Sequence, residues 1–234
     1  MRCAENDFGF SKPVQLFYRN FHETLGKALD QSGAGLDLGN TSQETDALKR
    51  YKLVAVASFE FMTSAVQERL RDYVESGGFL VCGPRLPVQN KRRDSCTFLR
   101  ERLVEKEKLA GPIPCTIYEL GKGRVALIEK YFEFANKKNP PPELGQLLEK
   151  LLLMAGVEVK FKSLTPPVET ALHLGGGREI VFVANPGEGA VNARIILPYP
   201  YRLTDLASGE IFSGSAEVEI PMPGYTVRML EAQK

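Results

Sequence analysis

The sequence predicts an α/β protein: a three-layer parallel-sheet domain over residues 1–156, followed by a small antiparallel β-sandwich domain over residues 157–234. Three observations carry this. The runs Leu53-Val-Ala-Val-Ala57 and Phe79-Leu-Val-Cys82 are apolar on both faces, as strands covered by helices on both sides must be. An amphipathic stretch separates them, which makes strand, crossover helix and parallel strand. After Gly156 the apolar period shortens to two, and Gly, Pro and Asn turns punctuate the chain.

Taken in order, Val14, Phe17, Phe21, Leu25, Ala28 and Leu29 recur at helical spacing, and Gly33 closes that helix. Gly35 to Leu38 is a short strand candidate, and Asp46 to Arg50 a helical turn. Ser64 and Gln67 fit a capping box, in which hydroxyl and amide each satisfy an orphan backbone donor. Val66, Leu70, Tyr73 and Val74 continue as one stripe until Gly77-Gly78. Gly83 to Asp94 reads as a loop with the basic cluster Lys91-Arg92-Arg93, and Phe98 to Leu109 as a helix. Cys115 to Leu120 and Arg124 to Glu129 alternate like strands about a Gly121-Lys-Gly123 hairpin. Glu143 to Ala155 is a strongly apolar helix.

In the second domain seven segments read as strands: 157–162, 170–174, 179–184, 191–197, 201–206, 216–220 and 226–230. Their turns are Gly175-Gly-Gly177, Asn185-Pro-Gly187, Ser208-Gly209 and Pro221-Met-Pro-Gly224, a spacing that fits a small sandwich.

Composition narrows the function. Thirty basic and 29 acidic residues leave a net charge of +1, so no global field draws nucleic acid or anionic membrane. No apolar run approaches the roughly 20 residues of a membrane span, and Met-Arg-Cys-Ala-Glu-Asn-Asp lacks the apolar core of a signal peptide. A cytoplasmic location is expected, and the Asn40-Thr41-Ser42 sequon reads as a chance match. Cys3, Cys82, Cys96 and Cys115 form no C-x-x-C pair, and with His22 and His173 alone to help, neither a metal site nor a cofactor is expected. Buried reduced thiols suit Cys82 and Cys115, although sequence leaves a Cys82–Cys96 disulfide open.

Catalysis finds little support. Cys82-Gly83-Pro84 ends a parallel strand where a nucleophile elbow would sit, but Pro84 and Pro87 block the helix such an elbow opens. A glycosidase needs two carboxylates about 5 to 10 Å apart. Glu60 is the best single acid, with Asp7 as its only candidate partner. Ligands of open parallel sheets sit beyond the carboxyl ends of the strands, and there the sequence would present Asp7, Ser58, Glu60, Gly83 and Arg85. Asp7, Glu60 and Arg85 are the candidate binding residues, and no catalytic residue is assigned. In the second domain Tyr199, Tyr201 and Tyr225 could stack on a sugar, against the commoner role of capping a core.

The stretch from Tyr18 through Tyr51-Lys-Leu-Val-Ala-Val-Ala-Ser58 to Arg69-Leu-Arg-Asp-Tyr-Val-Glu-Ser-Gly-Gly-Phe-Leu-Val-Cys-Gly-Pro-Arg85 resembles the middle domain of glycoside hydrolase family 42 β-galactosidases. Gly121-Lys-Gly-Arg-Val125 resembles a hairpin late in that domain. Phe182-Val-Ala-Asn-Pro186, Asp205-Leu-Ala-Ser-Gly-Glu210 and Pro223-Gly-Tyr-Thr-Val-Arg-Met-Leu230 resemble the small C-terminal β-domain of the same enzymes.

The resemblance implies an amidotransferase-like, flavodoxin-like first domain serving in subunit assembly. It extends to the related family 35 and exo-β-glucosaminidases. The catalytic (β/α)₈ barrel would lie upstream and is not in this sequence. Only Arg2-Cys-Ala could represent the end of the domain's first strand, and Pro84 falls where an amidotransferase nucleophile would stand. The expected partners are a second copy of the chain or a catalytic glycosidase domain, with carbohydrate as an alternative. Self-association is expected through apolar surface left uncovered at Leu53 to Ala57 and Leu147 to Leu152. The other alternative is a stand-alone amidotransferase-like hydrolase using Cys82.

Overall fold

The computed structural model describes residues 12–37, 39, 45–90, 92–132 and 140–234. Asp7, the Arg2-Cys-Ala segment, the sequon and Lys91 lie outside them. Two compact units emerge: one takes the chain through Ala28 and Asp37–Val157, the other Leu29–Leu36 and Glu158–Lys234. Leu29–Leu36 groups with the second unit.

The first unit contains α1 (Lys12–Asp30) up to Ala28, α2 (Thr45–Leu48), β1 (Leu53–Ser58), α3 (Ser64–Glu75), β2 (Phe79–Pro84), β3 (Val104–Leu109), β4 (Cys115–Leu120), β5 (Gly123–Ile128) and α4 (Pro142–Met154). Its sheet runs β1-β2-β5-β4-β3. β1, β2 and β5 are parallel, with Leu53 opposite Phe79 and Phe79 opposite Arg124. β4 and β3 are antiparallel additions, so the sheet is mixed and not wholly parallel. Every residue of β2 is buried, as its central place and two-sided apolar run require. The Gly121-Lys122 turn joins β4 to β5 with Leu120 paired to Gly123, and Gly121 takes the left-handed φ of +61° that glycine tolerates.

Three expectations are corrected here. Residues 34–37 form no strand, and residue 38 is outside the described set. The helix expected over Phe98 to Leu109 is a turn followed by β3, because β4 supplies backbone partners that outweigh the helix propensity of Glu and Lys. Its exposed Glu105, Lys106, Glu107 and Lys108 suit the outer strand of the sheet, where charge discourages further pairing. The capping box is not made: Thr63 is the N-cap, without a side-chain cap bond. Gln67 turns inward, fully buried, and donates to Met62 O (3.1 Å) and Cys96 O (3.0 Å) while accepting from Leu99 N (3.4 Å).

The apolar surface expected to remain uncovered is also absent. Val54, Val56 and Ala57 of β1 are buried, and so are Leu144, Leu147, Leu148, Leu151 and Leu152 of α4. The i, i+3, i+4 spacing puts those leucines on one core-facing stripe, leaving only Leu153 strongly exposed on the far side of α4.

The second unit holds β6 (Lys162–Ser163), β7 (Glu169–Gly175), β8 (Arg178–Asn185), β9 (Val191–Ile196), β10 (Tyr201–Asp205), β11 (Ile211–Gly214), β12 (Glu217–Met222) and β13 (Thr226–Gln233). They form two antiparallel sheets, β11-β10-β13-β8-β7 and β12-β9-β6. Val181, Val183, Leu203 and Leu230 from one sheet share a core with Ala193, Ile195, Val218 and Ile220 from the other, which makes a sandwich. Of the segment 157–162 only Lys162 belongs to a strand. β11 is a strand the pattern missed, since Ile-Phe-Ser-Gly is too short to show alternation. Asp205 binds the hairpin that leads to it: its carboxylate accepts Ala207 N (2.8 Å), Ser208 N (3.3 Å) and Arg228 Nη1 (2.7 Å).

Candidate functional site

The carboxyl ends of β1, β2 and β5 do bring Glu60 and Arg85 together. Ser58 is buried and donates its hydroxyl to Arg85 O at 2.6 Å, which fixes the backbone as the chain leaves β2. Arg85 Nη1 then reaches Glu60 Oε1 at 3.0 Å. The guanidinium lies 5.3 Å from the Phe59 ring centre and 5.5 Å from that of Tyr131, two rings in an edge-on pair 6.2 Å apart. Both aromatics draw on the cation through their ring faces. Three strand ends thus hold one arginine, and Glu60 is its counter-ion. Asp7, the expected partner of Glu60, is outside the described residues.

The rest of this edge is filled by α1. Asn20 donates to Phe132 O at 3.0 Å, and the Phe21 and Phe132 rings lie 5.9 Å apart. Phe21 presses on Gly83 so closely that a Cβ there would sit 2.6 Å from its ring and also strike Ile128 O. Glycine is needed at 83 for that contact, not for a catalytic turn.

Cys82 lies beneath, facing no solvent. Burial, reinforced by nearby Cys115, pushes its thiol up to about 12, with only the Ser58 hydroxyl opposing. β2 runs out at Pro84 and no helix follows, so the elbow geometry is absent. Cys82, Cys96 and Cys115 are free and buried, and no disulfide joins Cys82 to Cys96. At neutral pH a thiol of this kind is thiolate in roughly one molecule in 100,000. We expect iodoacetamide to leave Cys82 unmodified in the native protein and to label it after denaturation. Native labelling at Cys82, read by peptide mass spectrometry, would contradict this.

The three tyrosines of the second unit do not make one platform. Tyr201 is buried and gives its hydroxyl to Glu179 Oε2 (2.9 Å), while Glu179 Oε1 takes Lys160 Nζ (2.6 Å). Tyr199 lies beside it with Lys234 Nζ 4.8 Å from its ring centre. Tyr225 stands before the start of β13 and bonds Glu188 Oε1 at 3.0 Å. Lys234 follows the end of that strand, so about 26 Å of β-chain separates the two exposed rings.

Among the described residues no three of His, Cys, Asp and Glu gather as metal ligands, and no helix is long and apolar enough to cross a membrane. Arg92 and Arg93 of the basic cluster are solvent-exposed.

Comparison with known proteins agrees with this anatomy. Residues 18–115 match the family described as GLMA-like, second domain. A stretch of 64 residues is 42% identical to an exo-beta-D-glucosaminidase of Pyrococcus horikoshii, covering 27% of this chain and 8% of that protein. The Gan42B GH42 beta-galactosidase of G. stearothermophilus superposes with a TM-score of 0.71 at 16% identity, over 99% of this chain and 38% of that one. A beta-galactosidase of Bacillus circulans sp. alkalophilus gives 0.67 at 17% identity, over 93% and 38%. The chain therefore spans well under half of these relatives. Residues 18–115 carry the likeness to the GLMA-like second domain, and the chain as a whole has the fold of the non-barrel part of GH42 β-galactosidases.

Proposed function

We propose that this chain is a non-catalytic assembly portion of a β-galactosidase-like or exo-β-glucosaminidase-like glycoside hydrolase, with the catalytic barrel outside these residues. The observation that carries the reading is the filled edge of the parallel strands. Where an α/β enzyme of this topology keeps its crevice, Arg85 lies half-exposed against the Phe59 and Tyr131 rings and pairs with Glu60, and Phe21 closes the space over Gly83. The parallel order β1-β2-β5 with α3 as crossover favours an amidotransferase-like, flavodoxin-like ancestry for the first unit, with its nucleophile replaced by structure. Free buried thiols favour a reducing, cytoplasmic setting. Partners are further copies of the chain or a catalytic glycosidase domain.

Incubating the chain with chromogenic β-galactosides and β-glucosaminides should release no chromophore above the buffer rate. Turnover that disappears in a Glu60→Ala variant would overturn the proposal and return Glu60 to catalysis.

A further inference from the structure

The last two residues of α1 and the turn after them belong to the second unit, whose other residues begin only at Glu158. The turn is closely tied. Ser32 N and the Ser32 hydroxyl both donate to Leu29 O, and the same hydroxyl accepts Ala34 N at 3.2 Å. Leu29, Ser32 and Gly33 are buried. Against Gly33 lies the stretch by which the chain enters the sandwich. A Cβ at 33 would sit 2.8 Å from Phe161 O, 3.2 Å from Val159 Cγ1 and 3.4 Å from Lys162 Cα. The sandwich holds the same stretch: Phe161 is part of its core, with the ring 5.2 Å from that of Tyr201. Phe161 O accepts the Thr170 hydroxyl at 2.9 Å, and Lys160 Nζ bonds Glu179 at 2.6 Å.

We infer that Leu29–Leu36 is a strap across the entry of the second unit, a latch that holds residues 159–162 to the sandwich and whose release opens them before the sheets come apart.

Strand pairing does little for this stretch. β6 contributes only Lys162 and Ser163, which pair with Ile196 and Ile195, and residues 159–161 lie in no strand. What fastens them is one ring, one hydroxyl, one ammonium and the strap. Segments with so few ladder bonds are the ones that open locally, below the cost of unfolding the whole. Glycine makes the strap possible. Its left-handed φ of +75° turns the chain, and its missing Cβ lets the turn close on a backbone oxygen. Phe161 O cannot retreat from a Cβ at 33 without giving up the Thr170 bond or drawing the ring away from Tyr201. A side chain at 33 therefore works directly against closure of the latch.

A short pulse of trypsin on the full chain, with each cleavage followed by peptide mass spectrometry, tests it. The quantity read is cleavage after Lys160 and Lys162 relative to cleavage after Arg202, which lies in β10 and reports opening of the sheet. Where opening and closing outpace cleavage, this ratio follows the population of the open latch. Gly33→Ala should raise it at least about tenfold, because the new Cβ meets a backbone oxygen in a conformation that L residues avoid. Gly209→Ala has the same φ of +75° with open space around it, and should leave the ratio at the parent value. Ser32→Ala removes the hydroxyl that ties the turn and adds no atom, so the ratio should rise severalfold. It decides the outcome if Gly33→Ala does not fold. A ratio unchanged in Gly33→Ala, or in Ser32→Ala where Gly33→Ala does not fold, overturns the strap. An equal rise in Gly209→Ala overturns it too, since the opening would then be a general loosening of the second unit.

Discussion

Gln67→Leu is expected to destabilise the first unit by about 3 kcal/mol and to loosen the loop that follows β2. The substitution keeps the volume and removes all polarity. It strands Met62 O, Cys96 O and Leu99 N, which Gln67 alone joins from a fully buried position. Each stranded buried group costs about 1–3 kcal/mol, less what the loop regains by turning toward water. The same loop is tied at Val88 N and Gln89 N to Glu60 O, and at Cys96 N to Val88 O. Loss of the amide should therefore spread along 88–99. Denaturant melts give the stability, and hydrogen exchange at Cys96 and Leu99 locates it. A midpoint shift worth under about 0.5 kcal/mol, the range of a neutral surface change, would show that Gln67 does not fasten this loop.

Gln67 also shows where sequence reading stops. Its place three residues after Ser64 is the spacing of a capping box, which is a local pattern. Its real partners, Cys96 and Leu99, lie a loop away and leave no mark in that spacing. By contrast, β1, α3 and β2 are legible because two-sided apolar runs and one helical stripe admit few alternatives. β3 was illegible because Val-Glu-Lys-Glu-Lys-Leu favours helix locally and becomes a strand only when β4 offers its edge.

The candidate site divides the same way. Strand-end topology places Glu60 and Arg85 near each other, and they do meet. That the guanidinium rests against both Phe59 and Tyr131 depends on how β5 ends, which the sequence around Tyr131 does not signal. In the second unit, Tyr199, Tyr201 and Tyr225 looked like a set by residue type. The register of β13 separates Tyr225 from the other two. Ile180-Val-Phe-Val-Ala184 is apolar at both parities, so only the sandwich, and not the run itself, shows that Val181 and Val183 face the core.

Asn185→Asp should cost the second unit about 3–5 kcal/mol at pH 7, more than Asn185→Ala at about 2–3. The Asn185 side chain is buried at the turn after β8. Its amide nitrogen donates to Gly189 O (2.9 Å), Pro223 O (3.0 Å) and Met222 O (3.2 Å), and its oxygen accepts from Gly187 N (3.0 Å). One side chain therefore ties the turn after β8 to the end of β12, and Tyr225 N closes the corner on Gly187 O. Alanine takes the amide donor away from all three carbonyls. Aspartate is nearly isosteric but sets a negative oxygen against all three. Burial and those carbonyls disfavour its charged form, so its folded pKa rises above the ordinary value of about 3.9. A group raised in this way adds stability below its unfolded pKa and loses it as pH climbs through the folded one. The deficit of the aspartate variant should accordingly be small near pH 3.5 and full at neutral pH, while that of the alanine variant should not follow this titration. Thermal melts across that range, each variant referred to the parent at the same pH, separate the two. An aspartate variant with a pH-independent deficit, or none at pH 7, would mean that the three carbonyls find water and that the Asn185 amide does not hold this corner.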